Sequence, residues 1–530
     1  MASRRDELNA YTFARKRMVG AFLQPSGGGN DEDAPRPIRA VLPSFVVAAV
    51  VVAGFGMWGV IKPSAPLNWD SGKYIVQAKQ STTRYVVLKD ASGKGVLHQV
   101  LNMSSARLVL PANATVMSVA DDVLDKYPRH GATIGIPYAP DRLPKSDDAG
   151  KAKLWSVCDR LGNANNTQGS ISQAVFVAAD KDAAALKDQR MLTEGQALYV
   201  QGPTVSGQPG GKYLVDSNGA KHAVGPNAQA VDQLAMESAL FGRDAKPQQV
   251  TADWLQTLAN GKAILFPEIP DYTSAKVVQS AVSDPLPAAE RRVGRVLQFQ
   301  DSYFVVGLNR LYSVTPFQAE LILNFPSLDT AYDKKKPVPY QLTPAENAGL
   351  APKVDPDAMR PKSDIPTVKI EKALNVGNGN EDRAIVCSTF EGIENNVVKQ
   401  SVWAGVKYPA DIDSGSLSAH VTAGHGLFYR AVDSVGEGGS GSDFLITETG
   451  LRYSLPNNND AVGTKAGGAS ASPSAAPAPA PAGESKDGNE SQARLGYKDV
   501  TPTLVPLAWS RLVPAGPVLS RAAAEQAQNA

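Results

Sequence analysis

The chain has 530 residues, with 53 Lys and Arg against 52 Asp and Glu, 43 % hydrophobic and 20 % charged residues, and two cysteines, Cys158 and Cys387. At roughly 100–200 residues per domain this length supplies about three to four folded units, and two thiols exclude a disulfide-dense mini-scaffold. The near-zero charge balance offers no basic field to gather nucleic acid, so no nucleic-acid partner is expected.

In chain order, residues 1–39 read first as a cytoplasmic basic amphipathic segment. Leu8, Tyr11, Ala14, Met18, Ala21 and Phe22 recur at helical spacing beside Arg15, Lys16 and Arg17, and Gln24-Pro-Ser-Gly-Gly-Gly29 ends the pattern. Such a helix either lies on anionic headgroups of the lipid bilayer or docks on a partner; Leu8, Tyr11, Arg15, Lys16, Arg17 and Met18 are the docking candidates. Residues 40–61 follow without one charge, long enough for a single transmembrane helix, with Pro43 near its start and Trp58 and Trp69 near the far interface. The 39 preceding residues and the length of the apolar run argue against a cleaved signal peptide. Arg4, Arg5, Arg15, Lys16, Arg17, Arg36 and Arg39 precede the span, whereas only Lys62 and Lys73 follow within 15 residues. The positive-inside bias thus predicts a cytoplasmic amino terminus in the cell membrane and an extracytoplasmic remainder.

On that oxidising side an even count of two cysteines favours one bridge, Cys158 to Cys387; two separately buried thiols are the alternative. An internal pattern also recurs. Segments 85–98, 213–224, 303–314 and 444–455 each carry a β-branched and aromatic run, a turn with Asn, Asp or Gly, and a second run, which predicts four β-hairpins. Helices are predicted after three of them, over 102–110, 228–241 and 317–323. The expected fold is a single-pass membrane protein with an extracytoplasmic α+β domain, a β-rich central core and four hairpin-helix repeat modules. Its expected boundaries are repeat 1 at 73–128, repeat 2 at 206–260, repeat 3 at 301–330 and repeat 4 at 443–462. Core parts are expected at 129–205, 278–300 and 380–432, with short strands such as 190–201 and 427–432. Residues 464–493, rich in Ala, Pro, Ser and Gly, read as a disordered insertion before a carboxyl-terminal segment, 494–530.

Catalytic motifs do not emerge. Gly207-Gln-Pro-Gly-Gly-Lys-Tyr213 lacks the hydroxyl residue of a phosphate loop and leads into a strand, so it reads as a turn. No G-x-S-x-G elbow and no H-E-x-x-H is present, and the Gly/Ser-rich 436–442 reads as a loop. His98 and His222 occupy related hairpin positions and read as structural; His420 and His425 lack the spacing of a helical metal pair. No catalytic, metal or cofactor-binding residue is assigned, and no cofactor is expected.

Several blocks in order nevertheless resemble one family. They are Arg4-Arg-Asp-Glu-Leu8, Tyr11-Thr-Phe13, Arg15-Lys-Arg17, Leu101-Asn-Met-Ser-Ser-Ala-Arg-Leu108, Ile134-Gly-Ile-Pro-Tyr-Ala-Pro-Asp-Arg-Leu-Pro144 and Trp155-Ser-Val-Cys-Asp159. Leu451-Arg-Tyr-Ser-Leu-Pro456, Leu495-Gly-Tyr497 and Leu512-Val-Pro-Ala-Gly-Pro-Val-Leu-Ser520 follow near the end. Together the chain resembles the EccB family, the single-pass core component of type VII (ESX) secretion machines. The resemblance implies an EccC-like FtsK/SpoIIIE-type ATPase and an EccD-like multi-pass channel subunit as partners, and self-association of the exported domain. Family members also carry an ATPase label, for which this sequence offers no phosphate-binding motif. The expected function is a structural core subunit that anchors and braces a secretion complex; a nucleotide hydrolase or a cell-envelope-binding module is the alternative.

Overall fold

The computed structural model describes residues 4–23, 38–61, 65–161, 171–187, 191–362, 364–376, 385–412, 418–433, 441–456 and 490–528. Two helices come first, Arg4–Leu23 and Ile38–Ile61, the second with Pro43 inside it. Among the described residues no helix is long and apolar enough to cross a membrane; side chains at 38–40, 42 and 56–61 of the second helix lie outside the description.

The remainder mixes short helices with five sheets. The central sheet runs Val397–Gly405, Ile385–Glu394, Leu154–Leu161, Ile171–Ala178, Ser418–Val421, with only the last strand parallel to its neighbour. Its inner strands are buried almost without alternation because both faces are covered. Trp155, Val157, Val175, Val386 and Val402 face one core, and Cys158, Phe176, Ile385, Cys387 and Trp403 face the other.

The first sheet is a meander of Tyr74–Ala78, Arg84–Lys89 and Gly95–Val100, with Thr115–Val119 returning parallel to its first strand. The second has Gln196–Gln201, Lys212–Val215 and Ala220–Ala223, flanked by Gln248–Gln249 and Ala259–Asn260, each parallel to the strand it joins. Lys372–Ala373 also pairs in parallel with Gln196–Gln201. In the third, Val296–Phe299, Ser302–Val306 and Leu311–Val314 are flanked likewise by Tyr340–Gln341 and Val354–Asp355. The fourth combines Leu427–Val432, Gly441–Ile446 and Arg452–Leu455 with a parallel Thr503–Pro506. Parallel bridges Leu97 to His130 and Arg452 to Ala515 give the first and fourth sheets a pairing beyond the third strand as well.

The hairpins lie where their residues predict, and the helices at Met103–Val109, Ala230–Phe241 and Pro316–Leu323. Local chemistry fixes their starts. The Asn102 side chain accepts the Ser105 N–H, and Thr315 and Gln318 form a reciprocal capping box in front of Pro316. Asp90 and Asp216 fold two hairpin turns alike, each carboxylate accepting two downstream N–H groups, with Gly93 and Gly219 at φ +75°.

At four of the expected boundaries the sheets and helices group residues otherwise. The first strand of each of the last three meanders lies in a stretch assigned to the central core: Gln196–Gln201 in 129–205, Val296–Phe299 in 278–300, and Leu427–Val432 in 380–432. A short apolar run carries no mark of which strand it will join; only the assembled sheet selects the partner. Within 464–493, residues 464–489 lie outside the described residues, but 490–493 open the helix Glu490–Leu495. That helix stands between the third and returning strands of the fourth sheet, as the other three do in theirs; the adjoining Ala/Pro composition hid it.

Packing orders the sheets in series. Phe428, Leu445, Tyr453 and Tyr497 of the fourth unit share a core with Ile75, Val86 and Val100 of the first. Tyr429, Ile446 and Trp509 of the fourth join the central sheet, on whose same face Leu198, Val200, Val215 and Trp254 of the second unit pack. Ala197, Leu214 and Met236 then meet Phe317 and Leu321 from the third unit's helix. The order is first, fourth, central, second, third.

Candidate functional site

The residues singled out by the sequence fall in the central sheet, in the hairpin units and on the first helix. Cys158 and Cys387 form a disulfide across 229 residues of chain. They stand directly opposite on the neighbouring strands Leu154–Leu161 and Ile385–Glu394, fully buried, with Cα atoms 4.1 Å apart, the close spacing of a non-hydrogen-bonded antiparallel pair. Both the second and third units are inserted between these two strands, so the bond closes the central sheet around them.

Next to Cys158, Asp159 is a fully buried carboxylate in a largely apolar strand. Its carboxylate accepts the Thr251 N–H at 2.6 Å, the Thr251 hydroxyl at 2.8 Å and the Gln173 amide at 3.0 Å. Thr251 caps helix Ala252–Gln256 of the second unit, so Asp159 fastens that helix to the central sheet. Burial pushes the Asp159 carboxyl above its ordinary range against those hydrogen bonds.

His425, just before Leu427–Val432, joins three segments. Its Nδ1 lies 2.8 Å from Asp148 Oδ1 and its Nε2 3.0 Å from Asp180 Oδ2. Burial raises the Asp148 carboxyl, but hydrogen bonds from Lys153, His425 and the Gly426 N–H outweigh it and hold the group below the usual range. A carboxylate thus stands at each ring nitrogen of His425, so both are already met by partners from this chain. His420 lies 3.6 Å from Asp182, and among the described residues no three His, Cys, Asp or Glu side chains are grouped to hold a metal.

His98 and His222 are a matched pair. Nδ1 of His98 bonds the Ala132 carbonyl and Nδ1 of His222 the Lys262 carbonyl, each at 2.8 Å. Gly131 and Gly261 lie flat against the respective rings, where an added Cβ would collide with the imidazole. Lys212 of the phosphate-loop-like stretch belongs to a strand and pairs with Glu237 at 2.7 Å. In the first helix Leu8, Tyr11, Arg15, Met18 and Phe22 fall on one stripe by helical spacing, with Lys16 and Arg17 turned away from it; all six named docking residues are exposed.

Sequence reasoning found the cysteines and the paired histidines but missed Asp159, Thr251 and Asp148. The one available signal was an Asp ending the buried run Trp155-Ser-Val-Cys-Asp159; its partner, 92 residues on, is set only by tertiary packing.

Among known proteins, ESX-3 secretion system ATPase EccB3 of Mycobacterium tuberculosis is 26 % identical over 508 residues, 91 % of this chain and 82 % of that protein. ESX-1 secretion system ATPase EccB1 of the same organism is 29 % identical over 210 residues; that match spans 40 % of this chain and only 41 % of the relative's length. Among solved structures, an intact ESX-5 inner membrane complex contains a chain with TM-score 0.57 at 19 % identity, covering 100 % of this chain and 96 % of that one. The EccB3 dimer from the ESX-3 core complex gives 0.54 at 22 % identity, covering 86 % and 100 %. These structures share the fold of mixed helices and several sheets. Residues 1–530 match the family described as type VII secretion system ESX-1, transport TM domain B, and the chain belongs to this EccB family.

Proposed function

We propose that the protein is a structural core subunit of a type VII secretion membrane complex. Residues 40–61 anchor it as a single-pass protein with a cytoplasmic amino terminus, the helix Arg4–Leu23 docks inside, and the exported domain braces the assembly and self-associates. The observation that carries this reading is the serial construction. Four sheets with the same meander and the same parallel return are joined in series with one disulfide-closed central sheet through buried seams, the second and fourth packing on it directly and the third and first on them. In this reading the four are copies of one module, each a three-stranded meander, a helix and a returning strand, the fourth interrupted between 457 and 489. A hairpin cannot bury its own apolar face, so each copy needs its helix and its neighbour. The result is an extended scaffold with no assigned catalytic group.

The inner membrane complex and the dimer in which similar chains occur support assembly as the role. An EccC-like ATPase and an EccD-like channel subunit are the proposed partners. The exposed stripe Leu8, Tyr11, Arg15, Met18 and Phe22 supports a helix that binds a protein groove instead of packing on its own chain. Affinity isolation of the membrane complex tests the reading: the chain should co-purify with both partners, and its isolation free of them would overturn it. The relatives' name invites a second measurement. Purified full-length protein in detergent should show no metal-dependent ATP turnover above a denatured control, and turnover abolished by one point substitution would establish the hydrolase reading instead.

A further inference from the structure

The His425 seam borders a cleft of about 630 Å³ between residues 142–154, the end of strand Ile171–Ala178 with the helix Asp180–Lys187 that follows it, and the turn 424–425 before Leu427–Val432. We propose that this cleft binds a linear, phosphate-bearing anion that carries no base. Its rim presents the exposed Lys145, Lys151 and Lys187, none of which has an ion-pair partner among the described residues. Arg142 stands beside them, held only at 3.3 Å from Glu448.

The acidic groups of the same cleft are already engaged. Asp148 is taken by Lys153, His425 and the Gly426 N–H, Asp180 by His425, and Glu391 accepts the Ser401 hydroxyl at 2.6 Å. Asp147 has no partner among the described residues and the neutral Ser401 hydroxyl leaves the Glu391 charge in place, so five Lys and Arg side chains stand against four carboxylates, an excess of one positive charge carried on the exposed rim lysines. Its floor is fixed: Lys153, Ala178 and Ala179 are buried and the His425 ring is held from both sides.

The kind of anion follows from the donors. Separate ammonium groups are compact point charges with freely rotating donors, suited to successive phosphates; the planar fork that selects a carboxylate is present only in Arg142. No Phe, Tyr or Trp lines the cleft and the one ring there, His425, is held at both nitrogens by Asp148 and Asp180, so a nucleotide would find no broad stacking surface for its base. An inorganic polyphosphate and a poly(glycerol phosphate) chain share the required chemistry.

Titration calorimetry on the full-length protein in detergent tests this, using tripolyphosphate, a short poly(glycerol phosphate) and ATP as probes. At least one base-free probe should bind, and the combined Lys145→Ala, Lys151→Ala and Lys187→Ala variant should bind it about tenfold more weakly or worse. These side chains are exposed, so folding should survive; a retained disulfide mobility shift and circular dichroism check this, and Lys151→Ala alone should give a smaller loss in the same direction. Neutralising the exposed Lys334, Lys335 and Lys336 of the third unit removes the same charge elsewhere and should leave binding unchanged. The preferred base-free probe identifies the source of the phosphate chain. No binding of either base-free probe, equal binding by the cleft variant, equal loss in the control variant, or tighter binding of ATP than of both would each overturn the proposal.

Discussion

At the scale of single residues, buried covalent and polar groups close the central sheet and fasten its neighbours to it. The Cys158–Cys387 bond spans 229 positions, a separation for which loop-closure entropy gives an upper-end stabilisation of about 5 kcal/mol. Cys158→Ser should therefore lower the unfolding free energy by about 2–5 kcal/mol and abolish the difference between reducing and non-reducing gel mobility. Asp159 and Asp148 make opposite pH predictions. The Asp159 carboxyl is raised in the fold, so its contribution is greatest below the unfolded carboxylate pKa and falls as pH rises through the folded value. The Asp148 carboxyl is lowered, so its contribution is present above the unfolded pKa and lost as pH falls through the folded value. In urea unfolding followed from acid to neutral pH, the cost of Asp159→Asn should shrink as pH rises and that of Asp148→Asn should grow. Parallel profiles for the two variants would refute the assignment. These residues were only partly legible. A cysteine or histidine announces itself in a sequence, whereas an aspartate that caps a helix 92 residues away looks like any other until the strand is seen to be buried.

At the scale of elements, local chemistry was readable and pairing was not. Periodicity predicts the helices to within about two residues, because caps and turns use neighbours: Asn102 with Ser105, Thr315 with Gln318, Asp90 and Asp216 with their own turns. The His–Gly contacts are the long-range counterpart. Gly131→Ala and Gly261→Ala should each destabilise by about 1–3 kcal/mol, as overpacking does, since the new methyl meets the ring of His98 or His222. The thermal transition should fall in both, and an unchanged transition would mean the ring is free to move. For the amino-terminal helix, deleting residues 1–24 should leave the protein in the membrane fraction but release it from the large complex on native gels. Undiminished co-purification with the ATPase partner would remove the docking role.

For the whole molecule, order in space departs from order along the chain. The fourth unit lies between the first unit and the central sheet, and the second carries the third. The central sheet draws Leu154–Leu161 and Ile171–Ala178 from before the second unit and Ile385–Glu394 and Val397–Gly405 from after the third. Tyr497 shows how such distant parts are fixed: its ring stacks on Phe428 and its hydroxyl donates to the Pro144 carbonyl at 2.7 Å. Tyr497→Ala should cost about 3–5 kcal/mol, the range for a buried aromatic. Limited proteolysis should then release fragments at the junction of the first and fourth units before the second and third are cut.

Taken alone, the sequence was enough to establish the EccB resemblance, the charge-free stretch 40–61 with its asymmetric flanks, the four hairpins, three of the four following helices and the candidate pair of cysteines. Each is a local pattern of hydrophobicity, turn chemistry or residue count, and such patterns need no knowledge of distant chain. Tertiary structure decided which apolar run joins which sheet, that Cys158 faces Cys387 in register, that Asp159 reaches Thr251, and that four acidic and six basic or histidine side chains converge on one cleft. Those facts depend on contacts between residues tens to hundreds of positions apart. Burial and close packing select such contacts among many alternatives that local pattern leaves equivalent.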